Sequence, residues 1–524
     1  MAEAAVPVGE LVGVSSLARG LASGSADVSV FLPDRWDAES IVTRAREVLA
    51  RFRPRDAARV DDSLGDLGAG RTAGIFAGQQ VGLFGGPLLT VVKALAAVRL
   101  AAEVAGRCPA APVFWCASED HELVEVTRFF VAGPEGPVDL GPPEEALAAN
   151  RRPVGALPIE VDIESLLQKA ADGLPACDEE ARATLLSLHR GATFLDAFVG
   201  TLRWLLDEPA LRFADAARAA DKPDLVLLAV RLVRERAEVR RLLAERNEAL
   251  MREGHPLQVT TDPAALPLFA IVGGERHLLV EEGGRLRLKG ASDGRAHEPE
   301  EVVASFQSGA WLPSFSALTR PLAASVLYPV AATVLGPAEI AYWAQSHPLF
   351  SWAGIVPPVL VPRAMVAPVS TGARRTLAKL GLGVADVLEG PAALLSRAGA
   401  GKAGTELARL REIQHATLAA IDGLKPNLLA IEPALAHAVE ATRKNIAFAL
   451  EKLEEKAAQA AGRADEKVAA QVERLSQEIA PGGKLTERVY TAVPWLLRYG
   501  REGLMTPLKQ GFRWDVPGLQ VIEL

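Results

Sequence analysis

The sequence predicts an α/β protein with a parallel-sheet core, an inserted antiparallel patch and a helical arm toward the C-terminus. Three observations carry that expectation. Thr72–Val92 and Pro321–Pro362 lack charge, apart from Glu339 and His347 in the second, and are cut by glycines and prolines. Such runs suit strands and helices inside a parallel α/β core. A strand–loop–helix–strand pattern spans Ala73 to Ala117, and from about Ala373 the composition turns to Ala, Leu, Glu, Lys and Arg in heptads.

Taken in chain order, Ala73–Ala77 reads as a buried strand, Gly78–Gly86 as a glycine-rich loop, and Pro87 as the first residue of a helix running to about Val104. Pro112–Ala117 is a second strand, ending on Ser118-Glu119-Asp120-His121. Helical periodicity covers about Ala181–Asp207, a strand is expected at Ala210–Asp215, and Asp224–Glu253 reads as one long charged helix. Leu268–Val272, His277–Glu281 and Arg285–Lys289, separated by Gly-Gly pairs, form an antiparallel meander that suits a substrate-facing insertion. Leu327–Leu335, Ala338–Ser351 and Ile355–Val361 return to strand, helix and strand. In the arm, Val439, Ile446, Leu450 and Leu453, and then Val468, Val472, Leu475 and Ile479, keep heptad spacing, with Pro426, Pro433 and Pro481 as punctuation. This is a coiled coil or helical hairpin. The expected domains are a core over 1–372 with connecting segments inserted at about 140–310, the arm over 373–481, and a tail over 482–524 that packs back on the core.

Composition narrows the function. With 49% hydrophobic and 23% charged residues and a net charge of −8, the chain is globular and lacks the basic surface that nucleic acid or an anionic membrane requires. Five glycines and Pro87 interrupt the first uncharged run and seven prolines the second, so neither is a membrane helix. Met1-Ala2-Glu3 opens without a basic segment, so no secretory leader is expected and a cytoplasmic location is. Cys108, Cys116 and Cys177 are odd in number and lack CxxC spacing, which predicts small buried hydrophobes rather than disulfides or a zinc site.

Ligands of open parallel sheets sit beyond the carboxyl ends of the strands, where both the Gly78–Pro87 loop and Glu119-Asp120-His121 fall. Gly82 and its neighbours let backbone approach a ligand, and the following helix N-terminus favours an anion; a tight turn that packs helix on strand is the competing reading. Gln79 and Gln80 are adjacent amides in an apolar stretch and need partners, a ligand among them. Lys93, the first charge after 21 uncharged residues, serves a phosphate or carboxylate, or is simply solvated. Glu119, Asp120 and His121 supply base or substrate-binding groups, with a structural ion pair and metal ligation as alternatives. No second histidine lies at ligand spacing, so no metal is expected. The isolated Glu339 either receives a substrate group or pairs with Arg320 or Arg363, and Tyr342 and Gln345 extend its helix face.

These residues resemble a known family, the BshC cysteine ligases of bacillithiol biosynthesis. The resemblance rests on AGQQVGLFGGPLLTVVKA (Ala77–Ala94), PVFWCASEDHELVEV (Pro112–Val126), TRPL (Thr319–Leu322), GPAEIAYWAQ (Gly336–Gln345) and PPVLVPR (Pro357–Arg363), in that order across nearly the whole chain. It implies a Rossmann-like, nucleotidyltransferase-like core and a coiled-coil arm that makes a homodimer. The implied reaction adds L-cysteine to the amino group of glucosaminyl-malate, with ATP or another nucleotide as the expected activator. The chain departs from the family at Ala77, often Thr, at Ala323 or Ala324, often Gln, at Thr486, often Gln, and near Thr127-Arg128. The competing functions are a metal-dependent amidohydrolase on a related amino-sugar amide and a nucleotide-binding coiled-coil adaptor.

Overall fold

The uncharged segments form the spine of the first of two units in the computed structural model. The structure describes residues 6–524 apart from 12, 13, 134, 135, 148, 173, 175, 261, 293, 401–403 and 465. Met1–Glu3, which carry the expectation of no leader, lie outside the described residues. The first unit comprises Met1–Val131, Val138–Val366 and Glu487–Ile522; the second comprises Ala132–Pro137, Ala367–Thr486 and Glu523–Leu524.

In the first unit, β1 (Ala73–Gln79) leads through α1 (Leu89–Ala105) to β2 (Ala110–Cys116) and, beyond a helical insertion, to β3 (Arg212–Asp215). Helix α2 (Lys222–Arg234) precedes an antiparallel sheet of β4 (Ala265–Val272), β5 (Glu275–Glu282), β6 (Arg285–Leu288), β7 (Ala296–His297) and β8 (Leu312–Phe315). The chain then returns through α3 (Arg320–Leu327), β9 (Val330–Leu335), α4 (Pro337–Ser346) and β10 (Val359–Pro362). The core sheet is parallel, in the order β10-β9-β1-β2-β3, which is the expected Rossmann-like arrangement. Strand order reverses at β1, so a crevice opens between the carboxyl ends of β1 and β9.

The apolar runs are needed because helices cover both faces of the sheet. On β2, Val113 and Trp115 join Phe76 in one buried cluster, while Phe114 points the other way, its ring 5.7 Å from Phe198 on the helix Phe194–Leu206. Helix α1 is buried on nearly all sides, which leaves Lys93 2% exposed inside it.

Several boundaries differ from the expectation for local reasons. Helix α1 starts at Leu89 rather than Pro87, because Gly86 takes φ 73° and the Leu88 N–H is donated to Tyr490 O at 2.8 Å. The long charged helix breaks at Glu235 into α2 and Arg236–Arg252, and the Ala181–Asp207 segment is two helices, Glu179–His189 and Phe194–Leu206. Leu327 closes α3, and β9 begins only after Pro329, which has no N–H for the ladder. Cys108 and Cys116 are buried thiols as expected, but Cys177 is only half-buried.

The second unit contains Pro391–Ala400 and three longer helices, Gly404–Ile431, Leu435–Ala464 and Glu466–Ile479. Arg411 pairs with Glu454 at 2.7 Å and Asp422 with Arg443 at 3.1 Å, so the two longest helices form an antiparallel hairpin. Val468, Val472, Leu475 and Ile479 are buried as the heptads require, whereas Leu453 is exposed. Pro426 lies inside its helix instead of ending it. Among the described residues no helix is long and apolar enough to cross a membrane.

Candidate functional site

The crevice at the carboxyl ends of β1 and β9 holds a cavity of about 570 Å³. Gly78, Gln79 and Gln80 form one wall, Asp120 and His121 a second, and Gly336, Glu339 and Tyr342 on α4 a third, with Lys93 at the base. Phe269 and Arg276 reach in from the antiparallel sheet, and Arg320, Arg363 and Arg488 complete a strongly charged lining.

Lys93 ties three elements together. Its Nζ donates to Gly78 O at 2.9 Å and to Gln79 Oε1 at 2.8 Å, and lies 2.6 Å from Glu339 Oε2. The same carboxylate oxygen accepts the Gly336 N–H at 2.6 Å, across the first turn of α4. Burial lowers the Lys93 pKa and Glu339 opposes that shift. Thus the partner of Glu339 is Lys93, not Arg320 or Arg363. Arg363 instead makes a fully buried fork to Glu487, Nη2 to Oε1 at 2.6 Å and Nη1 to Oε2 at 2.8 Å. The neighbouring Tyr342 phenol is pushed up by burial and then by Glu339.

Asp120 is the second hub. Gln80 Nε2 donates to its Oδ2 at 3.1 Å, Arg276 Nη1 lies 3.4 Å from Oδ1, and Arg320 Nη2 lies 3.8 Å from Oδ2. Burial alone would raise this carboxyl, but Arg320, Arg276 and the Gln80 amide outweigh it and hold it below the usual range. His121 Nδ1 lies 3.1 Å from Arg276 Nη1; burial and then the Arg276 charge keep the ring below its usual pKa. Glu122 on the rim is shifted the other way, raised by burial and by Asp120 and Glu125.

Three of the sequence-derived candidates do not line the cavity. Glu119 is buried behind its wall, paired with Lys222 and accepting from Ser314 Oγ at 2.8 Å. Gln345 spends its amide on Asn247 Oδ1 and on both backbone groups of Val259. Gly82 sits within a buried turn, and the whole Val81–Gly86 stretch is turned away from the cavity. Three amides of that loop are already used: Gly82 N–H goes to Gln80 O, Phe84 N–H to His189 Nε2 at 2.9 Å, and Gly86 N–H to Leu83 O. It is a packing turn rather than an anion cradle.

Sequence reasoning missed Arg276, Arg488 and His189. Arg276 stands among alternating residues of β5, where one arginine in a strand carries no sign that it faces inward. Arg488 follows Glu487 late in the chain, and only folding brings it to the cavity, where it has no hydrogen-bond or ion-pair partner among the described residues. His189 closes a helix far from the glycine loop in sequence. Two departures from the family pattern, Ala77 and Ala324, line the wall and make it less polar. No cluster of three or more His, Cys, Asp or Glu side chains suited to a metal occurs among the described residues.

Comparison with known proteins gives two family matches. Residues 37–364 match the bacillithiol biosynthesis BshC N-terminal Rossmann-like domain, and residues 368–521 match the BshC C-terminal coiled-coil domain. The BshC protein of Solibacter usitatus is 30% identical over 434 residues, covering 82% of this chain and 80% of that protein. The BshC protein of Salinibacter ruber is 28% identical over 522 residues, covering 94% of each. That of Symbiobacterium thermophilum is 29% identical over 481 residues, covering 85% and 84%.

Proposed function

The chain belongs to the BshC family of bacillithiol biosynthesis, and on that footing we propose that it is a ligase joining L-cysteine to the amino group of glucosaminyl-malate. One observation carries the reading: a single cavity holds two guanidiniums without a hydrogen-bonded protein carboxylate, Arg320 and Arg488, together with the carboxylates Asp120, Glu122 and Glu339. A malate moiety brings two carboxylates for the arginines, and an amino sugar brings a cation for the acidic wall. The Gln80 side-chain Oε1, the Gln79 side-chain Nε2 and Tyr342 retain hydrogen-bonding capacity for sugar hydroxyls.

Amide formation from a carboxylate and an amine needs a leaving group on the carboxyl carbon, so a nucleoside triphosphate of the ATP class is the proposed co-substrate. Val81–Gly86 does not fit its phosphates, because the stretch lies away from the cavity and its Gly82, Phe84 and Gly86 amides already have protein partners. Arg320 and Arg488 offer it spare donors among the described residues. Glu119 contributes from behind the wall, holding Lys222 and Ser314.

The arm is proposed to pair two copies of the chain into a homodimer, as its match to a coiled-coil domain supports. A cytoplasmic location suits its three free thiols. The reading is tested by incubating the purified chain with cysteine, glucosaminyl-malate and ATP and following products by mass spectrometry. A new thiol with the mass of the cysteinyl amide is expected; its absence under every nucleotide tried would overturn the assignment.

A further inference from the structure

His121 presents two unlike ring nitrogens. Nδ1 faces Arg276 Nη1 at 3.1 Å, while Nε2 has no protein partner among the described residues and belongs to the cavity wall. A guanidinium can only donate, so Nδ1 accepts, and the proton of the neutral ring sits on Nε2. Arg276 is in turn held from every side. Its Nε donates to Ser314 Oγ at 2.9 Å and its Nη2 to Phe315 O at 3.1 Å, and its guanidinium lies 3.7 Å from the Phe269 ring centroid. Ser314 is oriented by Glu119, and Glu119 by Lys222. A buried relay from α2 through β8 to β5 thus ends on one imidazole nitrogen.

We infer that Arg276 is a positioning residue that holds His121 in its Nε2–H tautomer, so that His121 serves the reaction as a hydrogen-bond donor and not as its base. The role in catalysis rests on the ligase reading above; the tautomer does not. As the amine lone pair attacks the activated carboxyl carbon, the C–N bond forms and an electron pair moves onto the acyl oxygen, to which Nε2–H donates. The pair then returns, the bond from the acyl carbon to its phosphorylated oxygen breaks, that oxygen leaves with the phosphate and its charge, and the amine proton passes to Glu122. That carboxyl lines the same cavity. The relay also accounts for Glu119 and Lys222, charged groups buried where no substrate reaches them.

Two measurements test this. Long-range nitrogen–proton NMR of the full chain, in which His121 is one of eight histidines, is expected to show the Nε2–H pattern for His121 without any substrate. An Nδ1–H pattern would overturn the inference, and so would a wild-type Nε2–H pattern that persists unchanged in Arg276→Gln. In the ligase assay, His121→Gln keeps an amide N–H near the Nε2 position and should lie within about 10-fold of wild-type kcat, whereas His121→Ala should lose about 100-fold or more. Equal loss in the two folded variants would make His121 the base and sink the inference. If the wild-type chain makes no thiol product, the ligase reading fails while the NMR result still decides the tautomer.

Discussion

At the scale of single residues, the cavity is defined by which charges remain unspent. Lys93 has three protein acceptors and no donor to spare, whereas Arg363 gives its Nη groups to protein acceptors and keeps only a buried Nε–H unpaired. Arg320 lies at 3.8 Å from Asp120, beyond hydrogen-bond distance, and Arg488 lacks a partner among the described residues. Arg320→Ala and Arg488→Ala should therefore each raise KM for glucosaminyl-malate by about 10-fold to 100-fold, the worth of one charge-assisted hydrogen bond, and leave KM for cysteine nearly unchanged. Steady-state kinetics with each substrate varied in turn checks this; an equal rise for both substrates would place the arginines elsewhere. Lys93, Asp120 and Glu339 were legible as site residues because a charge in an apolar stretch must find a partner. The identity of the partner was not, since Glu339 and Lys93 meet only after β1 and β9 have paired.

At the scale of elements, two small devices hold β1, α1 and α4 around the cavity. Lys93 is one. Lys93→Met would leave Glu339 without its counter-charge and Gly78 O without a donor, with an expected loss of about 3 kcal/mol in urea unfolding; adding Glu339→Gln should restore at least about 1 kcal/mol, the mark of a coupled pair. The second is His189, whose Nδ1–H donates to Leu185 O at 2.8 Å while Nε2 accepts from Phe84, a residue held at φ 55°. Burial is the main cause that lowers its pKa to about 4. The native ring stays neutral down to that pH, whereas the unfolded chain takes up the proton near 6.5. The unfolded state thus binds more protons between these values, and stability falls as pH drops through that window. The contribution is about 3 kcal/mol, fully present at neutral pH and lost at pH 4, and His189→Gln should flatten that part of the pH–stability curve. Chemical denaturation between pH 4 and 7 measures it.

At the scale of the whole molecule, the proposed function gives the chemistry to the first unit and association to the second. Ile431, Phe448 and Leu453 are exposed on the arm hairpin, large apolar side chains that a monomer would leave in water. Phe448→Glu should weaken self-association by about 30-fold or more, as loss of an interface hot spot does, with the thiol-forming activity per chain little changed. Sedimentation velocity across a concentration series checks this, and a monomeric wild-type chain would refute the role given to the arm.

The sequence by itself determined the parallel core, the antiparallel insertion, the hairpin arm and the strand ends at which ligands gather. These follow from periodicity and from the cost of burying charge, both of which are written locally. Only the tertiary structure decided that Gly78, Gln79 and Gln80 line the cavity while Val81–Gly86 is a packing turn, whose Gly82, Phe84 and Gly86 amides find partners on His189 and within the turn itself. Only the tertiary structure could move Glu119 behind the wall and bring Arg276 and Arg488 to it. Pairings between residues more than 100 positions apart depend on strand order and on which face of a strand a side chain takes, and no local pattern records either.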